Sequence, residues 1–476
     1  MNLLEALQTK NVLTENGMVT NSSSLNHCVD LFFQIGTMRD NDDNTIINAF
    51  IKAYEEDALI AMKMLFWCRD IRGGAGERNV FRVIIRYLAD NRTISLRNNL
   101  HLIPEYGRWD DMFELFGTKL EKDTLELISN AINSGDALAA KWCPRPNTKN
   151  KLKRSNSHKL RKYMGLTPKL FRQLLSNNSN TVEQLMCAKK FGEIEYPKVP
   201  SKAMSDYMRA FSKRDGGRFV EFLESVKSGE TKINAGALYP YDVIKNLMYG
   251  VSDGADVQWD SLPNYLEGNK ERLLPVVDVS GSMTCSAGGN GLISCLTVAV
   301  SLGLYISERN VGPFKDSFIT FSNNPKLNIL KGSLKERYNQ LMKSDWGMST
   351  NIEGVFKEIL NSAVKHSVSP EDMPTMVIIL SDMEFNYGNN GNYNHTVQEM
   401  VEKMYREHGY TVPKLVYWNL NAKGSNFPVK YDKEGTCLVS GFSPSILTSI
   451  LRGDDLTPLS VMINTLSTER YNKIVD

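Results

Sequence analysis

Two hydrophobic rhythms divide the chain near residue 265. Before that point, apolar residues recur at three- and four-residue intervals between short polar joints. Ile51, Tyr54, Ala58, Met62, Leu65 and Phe66 place one apolar stripe on a helix, and Val80, Phe81, Ile84, Ile85 and Leu88 repeat it after a turn at residues 73–76. Further helices are predicted at 123–132, 169–175, 182–190, 201–211, 218–226 and 241–249. Helices that bury a stripe only by stacking on neighbours predict an α-solenoid, and the lack of a fixed period favours irregular HEAT-like pairs.

From about residue 272 the pattern changes. Apolar runs at 273–278, 317–321, 375–381, 414–419 and 436–439 read as strands, and helices are predicted between or after them at 291–308, 334–343, 352–364, 394–408 and 443–452. Such alternation predicts a parallel sheet covered on both faces. The expected fold class is therefore α + α/β: a helical domain over residues 1–265 and a doubly wound parallel-sheet domain over 271–476. Residues 259–270 hold no long Gly/Ser or Pro-rich linker, so the two parts are expected to lie close together.

Composition changes this picture little. The chain has 476 residues, 42% of them hydrophobic, and a net charge of +2, so overall charge selects no partner. Seven cysteines without a CxxC pair suggest reduced thiols in an intracellular protein. With no basic-apolar leader and no run near the ~20 apolar residues of a membrane helix, a cytoplasmic, membrane-free location is expected.

The chemistry concentrates where strands end. Residues 273–283, LLPVVDVSGSM, close an apolar run with Asp278, Ser280 and Ser282; Thr350 stands just before a predicted helix, and Asp382 ends the run 376–384, MVIILSDME. Hydroxyl and carboxylate oxygens on strand-end loops suit a hard cation, magnesium or manganese, and ligands bind at such ends of an α/β sheet. The bland reading is a Ser-rich turn with Thr350 capping a helix. Asp278, Ser280, Ser282, Thr350 and Asp382, in that order, resemble the metal-ion-dependent adhesion site of von Willebrand factor A domains. The resemblance implies that Ser280 and Ser282 coordinate directly and the other three directly or through water, leaving one position for an acidic ligand oxygen. Two loops are expected over the site, at 285–290 with Gly288 and Gly289, and at 385–395 with Tyr387, Tyr393 and the minor candidate ligand His395.

Further blocks carry a second resemblance. RDIRGGAGER (69–78), PEYGRWDDM (104–112), AAKWCPRP (139–146), YPKVPSKAM (196–204), AFSKRD (210–215), GFSP (441–444) and the closing Arg470-Tyr471 resemble the signature of a TROVE-like family. That family joins a helical module to a von Willebrand factor A domain and is similar in layout to the Ro ribonucleoproteins. It implies helices closed into a ring by the second domain and binding of small or structured RNA. The RNA-contacting residues of those proteins have no matching positions here.

One segment carries the physical case for RNA. Between Asp136 and Glu183 there is no acidic residue, yet Lys141, Arg145, Lys149, Lys151, Lys153, Arg154, Lys159, Arg161, Lys162, Lys169 and Arg172 all fall there. Such a density would contact phosphates, and Trp142, His158, Tyr163 and Phe171 could stack on bases. Residues 144–157 read as a mobile loop, and a merely solvated basic loop is the competing reading. RGGAGER lacks phosphate-loop spacing and reads as a turn in which Gly73 and Gly74 take positive φ; Asp110, Asp111 and Glu114 beside Arg108 read as a capped helix start. No catalytic motif is present, so the expectation is a non-enzymatic RNA-binding or RNP-scaffolding protein. The alternative is an assembly module whose metal grips a protein carboxylate, without nucleic acid.

Overall fold

The computed structural model describes residues 11–179, 181–248, 252–287, 293–321, 325–343, 350–386, 395–422, 424, 426–452 and 456–476. Asn11–Leu13 (β1) and Val19–Asn21 (β2) pair antiparallel, which the all-helical expectation for residues 1–265 did not include. Three-residue strands are too short to show an alternation. Helices then follow one another from His27–Phe32 through Asp43–Glu56, Ala58–Arg69 and Asn79–Asn91 to Pro240–Met248 and Ser252–Asp260.

The stripe from Ile51 to Phe66 spans two helices. Asp57 is extended (φ −150°, ψ 102°), ending one helix, while its carboxylate accepts the Ile60 amide at 2.9 Å and starts the next. The cap breaks the backbone without disturbing the apolar spacing. In the turn at 73–76, positive φ occurs at Gly76 (+68°) and at neither Gly73 nor Gly74. Gly74 serves close approach instead, since a Cβ there would stand 1.9 Å from the Trp67 carbonyl oxygen. Residues 144–157 are only partly a loop: Lys151–Tyr163 is a helix, started by Asn150, whose side chain accepts the Lys153 amide at 3.0 Å. Its strong polarity hid it, because Leu160 is its one buried aliphatic residue.

The second part is a six-stranded sheet built from Leu273–Val277 (β3), Ser317–Thr320 (β4), Leu327–Ile329 (β5), Met376–Ser381 (β6), Lys414–Asn419 (β7) and Thr436–Ser440 (β8). The order is β5-β4-β3-β6-β7-β8. All neighbours are parallel except β4 and β5, so the sheet is mixed at one edge. β3, β6 and β8 are buried throughout, as strands covered on both faces must be. Cys295–Arg309 packs on β3, β4 and β6 beside Leu334–Met342, and Ile352–Lys365 packs on Val397–Glu407. Parallel connections are right-handed in nearly all folds, and by that rule crossovers running outward in both directions from β3 and β6 put these pairs on opposite faces.

One continuous apolar core runs through both halves, while a smaller cluster around Tyr196, Phe211 and Phe219 stays within the helical part. At the front of the chain, Ser440 Oγ donates to Phe32 O at 2.7 Å and Asn419 Nδ2 to Phe33 O at 3.1 Å. Gly36 lies so close to β8 that a Cβ on it would come within 2.8 Å of the Gly441 Cα. At the other end of the helices, Pro240–Met248 packs on Cys295–Arg309, and Trp259 Nε1 donates to Glu308 Oε2 at 2.8 Å. The C-terminal residues return to the helices: Arg470 Nη2 donates to Asp70 Oδ1 at 2.7 Å and Tyr471 Oη to Asp70 Oδ2 at 3.0 Å. Two signature blocks far apart in sequence thus form one clamp around the buried Asp70.

Candidate metal centre

β3 and β6 are the neighbours from which the sheet is wound in opposite directions, and the crevice beyond their carboxyl ends is where such folds take ligands. Asp278 follows β3 and Asp382 follows β6. Asp278 is fully buried and Asp382 is 4% exposed. The Asp278 amide donates to Leu380 O at 2.9 Å, which continues the ladder up to the site.

The groups bonded to the Asp278 carboxylate are neutral. Ser381 Oγ donates to its Oδ2 at 2.6 Å, and the Ser280 amide donates to its Oδ1 at 2.9 Å. Burial and the nearby charge of Asp382 raise the Asp278 pKa from 3.8 to about 7, against the lowering effect of those two bonds. Ser280 Oγ and Ser282 Oγ lie 3.0 Å apart, both on the turn Gly281–Thr284 or its cap. Thr350 is buried, and its carbonyl accepts the Asn386 amide at 3.0 Å, which joins its loop to the segment after Asp382. The helix beyond Thr350 is capped by Asn351, whose Oδ1 accepts the Gly354 amide at 2.9 Å. Thr350 is therefore not the cap that the bland reading required.

Two carboxylates and two adjacent hydroxyls, with an excess of buried negative charge, make a donor set that fits a hard divalent cation. Among the described residues no group of three or more His, Cys, Asp or Glu side chains could hold a metal, so hydroxyl oxygens must complete any such site. His395 lies 4.0 Å from Glu399 of the adjacent helix. Gly288, Gly289, Tyr387 and Tyr393 fall outside the described residues.

Sequence reasoning missed two residues here. Ser381 orients Asp278, and Glu384 holds the loop of Asp382: its amide donates to Asp382 Oδ1 at 3.3 Å while its carboxylate accepts the Glu15 amide and Asn426 Nδ2, each at 2.6 Å. Polar residues on either side of Asp382 in SDME were the available signal. Arg39 reaches the first loop from the helical half. It donates Nη1 to Ala287 O at 2.6 Å, pairs through Nη2 with Glu77 at 2.6 Å, and covers the Phe442 ring at 4.1 Å.

The acid cluster is a structural network. Buried Asp111 accepts Arg69 Nε at 2.8 Å, Arg82 Nε at 2.6 Å and the Arg108 amide at 3.0 Å. In the basic segment the structure separates two groups. Lys141 pairs with Glu183 at 3.0 Å, Lys159 with Glu121 at 2.7 Å, Arg161 donates to Leu166 O at 2.7 Å, and Arg145 to Ser179 Oγ at 3.3 Å. Lys149, Lys151, Lys153, Arg154 and Lys162 are exposed, as are Lys169 and Arg172. Of the candidate stacking residues, Trp142 is covered by the Arg108 guanidinium at 3.9 Å and Phe171 is buried, whereas His158 and Tyr163 face solvent.

Two family models match the chain. Residues 14–115 and 145–271 match a Domain of unknown function (DUF2828), and residues 273–471 match another (DUF7788). A relative with the same span is the Uncharacterized protein L728 of Acanthamoeba polyphaga mimivirus, 28% identical over 97% of this chain and 88% of its own length. Among the described residues no helix is long and apolar enough to cross a membrane.

Proposed function

We propose that the chain is a non-enzymatic RNA-binding scaffold of TROVE-like layout, whose α/β half is a von Willebrand factor A-type domain with a magnesium or manganese adhesion site. The observation that carries the reading is the buried pair Asp278 and Asp382 beside the Ser280 and Ser282 hydroxyls at the winding-reversal point of the sheet. The antiparallel edge strand and the strand order support the domain type. Contacts of both the first and the last helices with the α/β half support a ring over two linked beads.

When bound, the cation supplies an open position for an acidic ligand oxygen. The protein's own part is to hold the hydroxyls and carboxylates in place through Ser381, Glu384 and Arg39. On the helix Lys151–Tyr163, Lys151, Arg154, His158 and Lys162 recur at helical spacing and form one exposed face. That face meets RNA phosphates, with His158 and Tyr163 available for stacking. The competing reading, a module gripping a protein carboxylate without nucleic acid, draws on the four basic residues and two aromatic rings that internal contacts occupy.

Fluorescence anisotropy with a structured RNA, at a series of salt concentrations, tests the choice. Replacing Lys149, Lys151, Lys153 and Arg154 with Ser is expected to weaken binding and to lower the log-log salt slope by roughly 0.7 to 0.9 per lost contact. An unchanged slope removes RNA from the basic stretch 149–154, and no binding by the wild type favours the carboxylate reading.

A further inference from the structure

Three residues beyond Ser282, the first loop carries a thiol that faces another. Cys285 Sγ and Cys295 Sγ are 3.5 Å apart. The segments bearing them pair as a short antiparallel ladder: Cys295 N donates to Cys285 O at 3.1 Å, Ala287 N to Ile293 O at 2.8 Å, and Ser286 opposes Ser294. Cys285 and Cys295 flank the Ser286–Ser294 bridge and share one of its bonds, while the Cys285 amide donates to Ser282 O at 3.2 Å; opposed residues of an antiparallel pair stand about 4.5–5.5 Å apart at Cα. Such a separation lies within the range a disulfide spans, and the sulfurs, now 3.5 Å apart, would close to about 2.05 Å.

The two thiols differ in access. Cys285 is half-buried, whereas Cys295 is 1% exposed and opens the helix Cys295–Arg309. Neutral partners hold them in register, Asn421 Nδ2 donating to Cys285 Sγ at 3.3 Å and Cys295 Sγ to Leu420 O at 3.4 Å. The other described cysteines lie elsewhere: Cys28, Cys68, Cys143 and Cys437 are buried and Cys187 is exposed.

We propose that Cys285 and Cys295 are a reversible dithiol–disulfide modification site that ties the serine-bearing loop to the start of the helix behind it. A peroxide is the oxidant. Its distal oxygen passes to the accessible Cys285 sulfur, giving a sulfenic acid and one water; Cys295 then attacks that sulfur, the S–S bond forms and a second water leaves. A dithiol reductant reverses the step by thiol–disulfide exchange. Oxidation would shorten the loop's freedom at the point just before Ala287, which Arg39 already holds from the helical half.

The test uses the full chain, metal-free, treated with a small excess of hydrogen peroxide, alkylated under denaturing conditions and mapped by mass spectrometry. The expected result is the loss of two alkylatable thiols, a peptide cross-linked between Cys285 and Cys295, and its disappearance after dithiothreitol. Cys285→Ser and Cys295→Ser should each abolish the cross-link, with folding of each variant checked by its melting curve. Cys187, exposed and without a facing thiol, reports general oxidation. Oxidation of Cys285 to sulfinic acid at the pace of Cys187, or a Cys285 thiol that peroxide leaves unchanged, in either case with no cross-link in the wild type, overturns the proposal whatever the variants do.

Discussion

Replacing Asp278 with Asn removes one of two buried like charges while keeping shape and an acceptor for Ser381. The size of the effect follows from the raised pKa. In the folded chain Asp278 titrates at about 7 instead of 3.8, and each unit corresponds to about 1.4 kcal/mol. The direction is set by linkage: the folded state holds this proton more tightly, so the associated stability is complete below about pH 4 and lost by about pH 7. Without metal, the wild type should therefore weaken from pH 4 to 7 at this site by up to about 4 kcal/mol. Asp278→Asn should escape that loss, gaining roughly 1–3 kcal/mol at pH 8 after imperfect hydrogen bonding is allowed for. The gain should shrink toward zero near pH 4. Urea denaturation with a chelator at pH 4.5 and pH 8 measures it, and repetition with magnesium separates the two roles of the carboxylate. Saturating magnesium at 100 times its Kd should stabilise the wild type by about 3 kcal/mol and leave the variant nearly unchanged. A variant no more stable than wild type at pH 8 without metal, or an equal magnesium response in both, would refute the reasoning.

Asp70→Ala should cost about 3 kcal/mol, since it strips acceptors from Arg470, Tyr471 and the Arg72 and Gly73 amides, and should expose residues 470–476 to carboxypeptidase. Intact tail residues under conditions that digest an unfolded control would count against the clamp. Gly36→Ala should lower the melting temperature, because the added Cβ would sit 2.8 Å from Gly441 and force β8 away from the first helices; a neutral effect would mean that this contact relaxes freely. Cleavage near Asn264 should leave the two fragments together in gel filtration at physiological salt, held by the shared core and by Trp259 Nε1 donating to Glu308 Oε2 at 2.8 Å. Separation of the fragments would remove the support for a closed ring.

Much of the second half was legible residue by residue. β6 and β7 carry apolar runs long enough to mark strands, because both faces of a central parallel strand must be apolar. β5 gave no such signal, since as an edge strand it leaves Leu327 and Ile329 half exposed. The helix Lys151–Tyr163 was hidden for the opposite reason, as a polar helix rests on capping and a single buried leucine. Asp278, Ser280, Ser282 and Asp382 could be singled out from position, because strand ends in an α/β chain are where loops converge, and Thr350, which precedes a helix, from its place in the order of the five.

What the sequence by itself determined is the alternation of local elements and the residue types at their ends, both of which depend on neighbours within a few positions. Only the tertiary structure decided which of those ends meet. Asp70 finds Arg470 and Tyr471, Arg39 reaches Ala287, and Cys285 faces Cys295 across a ladder whose pairing no local propensity encodes. It also decided which basic residues stay free of ion pairs among the described residues, Lys151 and Arg154 among them, while Lys141 and Lys159 are neutralised by acids over 30 residues away in the chain. The physical reason is the same throughout. Propensity and periodicity act over one or two turns of chain, whereas the charge, burial and reactivity of a side chain are set by whatever the fold packs against it.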